Sequence, residues 1–278
     1  MKEYVVHSWE DLQKVIFDGV WDSKIRRYRN NCIYRGMGDA SWDLSPSLIR
    51  ACAHDLTLEK QMLRSLKKYG YADLNGATSV WQILTIGQQY GLPTRLLDWT
   101  YSPLVAAHFA TENQDQFGLD GVIYCADLDQ MNELLPQVLR NRLKADRANV
   151  FSIDTLDHLA MDLDDLTYLE EGRPFTLFFE PSSLVDRIAN QYALFSLCSD
   201  PRVCLDEMPG ADAFLKKITL PAAVKLEIRD KLDYINISER MIYPGLDGIC
   251  KWITRRYAAL GPVYNPVRPG AAADQKEE

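Results

Sequence analysis

The 278-residue chain predicts an α+β fold, and three observations carry that prediction. Short β-branched and aromatic runs are separated by helical stretches of unequal length, which a regular βαβ ladder would not show. No internal repeat or long Ser/Gly linker divides the chain. Hydrophobic residues make up 47% and charged residues 25%, the balance of a globular chain long enough to bury a sizeable core.

The elements follow in order. Residues 3–7 alternate as a short strand, and Ser8 then caps a helix with an acid, Asp11, three positions on. Leu12, Val15, Ile16 and Val20 continue that helix at the right spacing. Residues 32–35 read as a strand, stopped by Gly36, Gly38 and Asp39, and the breaker-rich 41–48 stretch reads as a loop. Helices are expected over 57–71 and 80–90, the second closed by Gly91 and Pro93. Residues 94–98 form a short buried strand, and Ser102 and Pro103 open a helix over 104–111 as cap and first-turn proline. Its Ala106, Ala107 and Ala110 permit close packing on a sheet. Strands are expected over 121–126, 176–180, 191–197 and 214–220, with a turn and short helix over 181–189. Residues 128–169 read as mostly helical, and helices over 222–232 and 246–257 complete a single domain spanning 1–260. Residues 261–278, rich in Pro, Gly, Ala and charge, read as a flexible C-terminal tail.

Charge and motif content narrow the chemistry. With 31 Lys+Arg against 39 Asp+Glu the net charge is −8, which weakens a generic grip on nucleic-acid phosphates but leaves a local basic patch open. The basic runs at 24–29 and 140–147 read as solvated helix faces. No apolar run approaches the roughly 20 residues of a bilayer span, and the N-terminus lacks a signal-like apolar stretch, so no membrane partner and a cytoplasmic location are expected. Six cysteines without a Cys-x-x-Cys pair read as free thiols. Histidines 7, 54, 108 and 158 lack metal-ligand spacing, so no metal site is expected. No nucleophile elbow, Walker loop or dinucleotide glycine loop is present.

Three polar clusters remain. Tyr34-Arg35-Gly36 puts a guanidinium beside bare backbone, suited to gripping a phosphate or carboxylate bidentately; the structural alternative ties Arg35 to an acid such as Asp98. Residues 89–100 with Ser102 concentrate Gln89, Tyr90, Thr94, Arg95, Asp98 and Trp99, a density typical of recognition loops. Arg95 is expected to sit in a buried Arg-Asp pair that fixes this loop. In the third cluster, 187–195, a strand opening at Gln191 would put Gln191, Ala193 and Phe195 on one face. Such a glutamine either bridges a ribose hydroxyl or caps the sheet edge.

At these clusters the chain resembles the FRG domain family, named for its Phe/Tyr-Arg-Gly motif and found in bacterial and phage proteins. The resemblance rests on Tyr34-Arg35-Gly36, on 91–100 with Ser102-Pro103 and Ala106-Ala107-His108-Phe109-Ala110, and on Arg187-Ile188 with Gln191 and Phe195, where Ala193 replaces a usual glycine. With Ser8-Trp9 and 243–249 it covers about residues 4–255. More distantly, the order of these motifs resembles ADP-ribosyltransferases, and Asn190-Gln191-Tyr192 is similar to their Asn-Glu-Tyr strand, with Gln191 in the place of the glutamate.

That likeness implies a split, ADP-ribosyltransferase-like sheet with helical insertions, binding NAD or a related nucleotide as substrate in its cleft. It implies Arg35, Gln191 and Asp98 as catalytic residues and Tyr34, Gly36, Tyr90, Thr94, Trp99 and Ser102 as cofactor-binding residues. Arg35 would clamp the pyrophosphate, Tyr90 or Trp99 would stack on a ring, Gln191 would contact ribose and Asp98 would orient the loop. An acid such as Glu180 or Asp98 would supply the charge that Gln191 lacks. The implied activity is ADP-ribose transfer to a protein or nucleic-acid acceptor, or NAD hydrolysis, in a toxin or phage-defence effector with an antitoxin or sensor partner. The alternative is a non-catalytic domain that senses a phage protein, a nucleic acid or a nucleotide.

Overall fold

The computed structural model describes residues 1–52, 55–74, 76–181 and 189–258. Eight strands form one mixed sheet in the order β1-β10-β6-β4-β5-β9-β8-β7. These are β1 (Lys2–Val5), β4 (Cys32–Met37), β5 (Leu96–Thr100), β6 (Gly121–Asp127), β7 (Phe151–Ser152), β8 (Thr176–Glu180), β9 (Ala193–Cys198) and β10 (Leu215–Leu220), while β2 (Trp21–Asp22) and β3 (Arg27–Tyr28) form a separate two-stranded sheet. The outermost pairs are parallel and the inner ones antiparallel, and the helices between strands differ in length, so the fold is α+β.

One border of the sheet differs from the rest. β4 pairs with β6 over six positions and β5 with β9 over five, but β4 and β5 meet at a single position, Tyr34 with Thr100. The sheet is thus two four-stranded halves joined at one rung, and past that rung the ladder is not continued.

Side-chain alternation sorts the sheet's buried residues into three clusters, and a fourth, smaller one joins Val105 to Ile242 and Tyr243. Ile33 and Met37 of β4, Leu97 and Trp99 of β5, Val122 and Tyr124 of β6, and Phe178 and Leu194 form one cluster spanning both halves. The opposite face is divided. Over β5, β8 and β9, Leu96, Phe179, Phe195 and Leu197 pack with Leu63, Trp81 and Leu156 of three helices. Over β4, β6 and β10, Tyr34, Ile123 and Ile218 pack with the helices Trp9–Phe17, Pro103–Thr111 and Ala222–Tyr234. The seam between these two helical layers follows the β4–β5 junction.

The helix Pro103–Thr111 starts where its local signals place it, with Pro103 in the first turn and the Ser102 hydroxyl accepting from Val105 N. Its alanines lie against the sheet so closely that a Cβ on Gly36 would fall 1.8 Å from the Ala106 carbonyl oxygen. The bare backbone at Gly36 therefore serves the fold first, letting this helix sit on β4.

Several sequence expectations are corrected. Residues 24–29 hold the exposed turn and the second strand of a small hairpin, Trp21–Asp22 with Arg27–Tyr28, rather than a helix face. The 41–48 stretch already contains the start of the helix Ser47–Cys52. The strand expected over 94–98 is Leu96–Thr100, and that expected over 191–197 begins at Ala193. Tyr192 takes a left-handed φ of 49°, which interrupts the alternation and leaves Gln191 in the preceding turn. His54, Arg187, Ile188, most of the 181–189 stretch and the tail over 261–278 lie outside the described residues.

Candidate functional site

A cavity of about 450 Å³ opens where β4 and β5 part. Its wall draws Tyr34, Arg35 and Gly36 from β4, Trp42, Ser45 and Arg50 from the next loop and helix, and Gln88, Gln89, Asp98 and Trp99 from the helix Val80–Gln89 and β5. Glu112 and Gln116 follow the alanine-rich helix, and Gln191, Ala193 and Tyr243 arrive from far down the chain. All three polar clusters are represented.

Arg35 is the most constrained charge in the wall. Its side chain is 19% exposed, one terminal nitrogen donates to the Asp98 carbonyl oxygen at 2.6 Å, and the Asp98 carboxylate stands 3.8 Å away. Its Nε is buried with no hydrogen-bond partner among the described residues. Burial lowers its pKa, Asp98 opposes that, and the charge of Arg50 adds to it. A guanidinium with a donor left over beside a polar cavity has the chemistry to bind an anion.

Asp98 and the glutamines complete the polar surface. The Asp98 side chain remains 51% exposed, and one carboxylate oxygen accepts from Gln88 Nε2 at 2.7 Å. Gln88 Oε1 in turn accepts from the Thr94 hydroxyl at 2.5 Å, so the Thr94–Gln88–Asp98 chain holds the carboxylate in position. The neighbouring Gln89 Oε1 is buried and lacks a partner among the described residues. Gln191 is buried. Its carbonyl accepts from the Thr100 hydroxyl at 2.7 Å and its amide nitrogen lies 3.5 Å from the Ile242 carbonyl, anchoring it at the end of β5.

At the rim, Glu112 accepts from the Tyr243 hydroxyl at 2.7 Å and lies 3.3 Å from His108 Nε2. Arg229 reaches the other ring nitrogen, Nδ1, at 2.7 Å, which fixes Nδ1 as the acceptor. Burial lowers the His108 pKa, and this keeps the ring neutral beside Arg229.

The remaining sequence candidates separate clearly. Tyr90 is 82% exposed and outside the cavity wall, so it does not meet Arg35. Trp99 borders the cavity but is buried edge-on against Phe178, with its Nε1 donating to Ser196, so no ring face is free for stacking. Thr94 acts through Gln88, Ser102 is spent as a helix cap, and Glu180 accepts from the Tyr101 hydroxyl outside the wall. Arg95 is sealed as expected, but its partner is Glu59 rather than an aspartate. Arg50, Gln88 and Glu112 carry no local signature that marks them, Tyr243 is marked only as part of the 243–249 stretch, and it is the fold that brings all four to the cavity. Among the described residues, no cluster of three or more His, Cys, Asp or Glu is placed to hold a metal, and no helix is long and apolar enough to cross a membrane.

Fold and site together define an α+β protein with an arginine-bearing polar cavity at the split in its sheet. Residues 30–118 match the family model of the FRG domain, which supports the FRG resemblance. The match includes Arg35, Arg50, Gln88, Gln89, Asp98 and Glu112 and leaves out Gln191 and Tyr243. No curated protein and no solved structure matches the chain.

Proposed function

We propose that this cavity binds NAD or a related nucleotide and cleaves the nicotinamide–ribose bond, passing ADP-ribose to water or to a protein or nucleic-acid acceptor. The observation that carries the reading is the convergence of Arg35, Asp98 and Gln191, far apart in the chain, around one cavity at the single-rung β4–β5 junction. Arg35 supplies the anion-binding group for the pyrophosphate. Gln191, its amide nitrogen turned to Ile242, offers its Oε1 to a ribose hydroxyl. Asp98, accessible and steered by Gln88, is the acid placed to stabilise positive charge on the ribose as the C1′–N bond breaks. The bonding electrons leave with nicotinamide, the acceptor oxygen or nitrogen bonds to C1′, and its proton passes to Asp98 or solvent. A toxin or phage-defence role, with an antitoxin or sensor partner, is the biological setting the FRG resemblance implies.

The test is incubation of the purified protein with labelled NAD, following nicotinamide release and label transfer to protein, DNA or RNA. Release that disappears in Arg35→Ala and Asp98→Asn supports the reading. Undiminished release in Asp98→Asn would remove the acid from the mechanism, and absent release would defeat the enzyme.

A second reading, a nucleotide-sensing domain without turnover, has its own observation. Arg35 is partly closed on Asp98, and the position resembling a catalytic glutamate holds a neutral amide. Heat-stabilisation by NAD without nicotinamide release would favour it.

A further inference from the structure

Arg50 faces the same cavity as Arg35 and is held in the same manner. Its terminal nitrogen donates to the Ser45 carbonyl at 2.6 Å, as that of Arg35 donates to the Asp98 carbonyl at 2.6 Å. Each guanidinium is pinned by one main-chain oxygen, which fixes its direction without neutralising its charge. Asp98 lies 3.8 Å from Arg35, and no carboxylate lies within 4 Å of Arg50 among the described residues. Both line the one cavity, and the charge of Arg50 adds to burial in pushing the Arg35 pKa down. Of the three carboxylates in the wall, Asp98 stands beside Arg35, Glu112 is engaged by Tyr243 and His108 at the rim, and neither Glu112 nor Asp43 comes within 4 Å of either guanidinium among the described residues, so both arginines keep donors for an anion.

We infer that Arg35 and Arg50 form a two-point clamp for a diphosphate, so the cavity prefers dinucleotides and nucleoside diphosphates to mononucleotides. The inference rests on the nucleotide reading above and deepens it. A planar guanidinium matches a phosphate bidentately, and Arg35 still has its Nε to give. A single phosphate satisfies one of the two forks and leaves the other facing its like charge. Two linked phosphates satisfy both. The half-exposed indole of Trp42, also in the wall, offers a ring face for an attached base.

The test is calorimetric titration of the full chain with ADP-ribose, ADP, AMP and inorganic pyrophosphate, for the native protein and Arg50→Gln. Arg50 is exposed and makes one main-chain hydrogen bond, and an unchanged thermal midpoint checks that the variant is folded. ADP and ADP-ribose are expected to bind at least about tenfold tighter than AMP, and Arg50→Gln is expected to erase that preference while leaving AMP affinity within about twofold. Equal affinity for ADP and AMP, an equal loss of both in the variant, or no binding of any of the four overturns the clamp. A preference for diphosphates without nicotinamide release from NAD supports the clamp and overturns only the transferase reading. Release with Arg50→Gln kinetics identical to native overturns the clamp alone.

Discussion

Arg35 and Arg95 lie on either side of the split in the sheet, and the protein treats them in opposite ways. Arg95, 6% exposed, spends nearly every donor it has: Nε and a terminal nitrogen reach Glu59 Oε2 at 2.7 and 2.6 Å, and another reaches the Ser199 carbonyl at 3.2 Å. Its own main-chain N–H also donates to Glu59. Arg35 commits one terminal nitrogen to a carbonyl, keeps its acid at 3.8 Å and leaves Nε unused. A saturated guanidinium is scaffold, whereas one at a cavity wall with a donor left over has hydrogen-bonding capacity for a ligand, which is the role proposed for Arg35. Proximity to an acid does not distinguish the two; the count of used donors does.

The largest effect expected from this contrast is on stability. Arg95→Ala strands the Glu59 carboxylate in the core and should cost about 3–5 kcal/mol in urea unfolding, whereas Arg95→Met with Glu59→Leu should recover most of it. A loss below about 1 kcal/mol in the single variant would break the contrast. Gly36→Ala comes next, at about 3 kcal/mol, because the new methyl meets the Ala106 carbonyl rather than a side chain that could turn away. That result would separate the structural role of the glycine in the Tyr-Arg-Gly motif from the binding role proposed for its arginine.

Arg35→Gln should do the reverse of Arg95→Ala. Folding stability should fall by about 1 kcal/mol, for one lost hydrogen bond, while ADP-ribose affinity drops about tenfold to a hundredfold by calorimetry. Arg229 sharpens the comparison as an intermediate case: it is fully buried and bound to Asp233, the Ile237 carbonyl and a neutral His108, with Nε unpartnered. The folded His108 pKa is lowered, so folding favours the neutral ring, and stability is lost as pH falls below the unfolded value of about 6.5. Between pH 7.5 and 5.5 the native protein should lose about 1 kcal/mol relative to His108→Gln in denaturant unfolding. Parallel pH profiles for the two proteins would show that the ring takes up its proton in the folded state.

Elements with local signals were legible, and those that depend on distant partners were not. The strand Thr176–Glu180 and the helix Leu246–Tyr257 fall where their periodicity puts them, and the Ser102-Pro103 cap sets the start of its helix. The start of β9 is displaced because Tyr192 turns left-handed, a conformation a tyrosine does not announce. Arg35, Asp98 and Gln191 stood out by residue type and context, and the cavity wall contains all three. Arg50 and Gln88 did not, since nothing in a short window links either residue to a β-strand that reaches it from elsewhere.

The sequence by itself determined most of the helices and strands, the α+β class and the polar clusters, because hydrophobic period, caps and breakers act over a few residues. Tertiary structure decided that β4 and β5 share one rung, that Glu59 rather than Asp98 neutralises Arg95, and that a second arginine enters the cavity. Those outcomes depend on how two separate helical layers pack across one sheet, and side chains distant in the chain compete for the same few buried partners there.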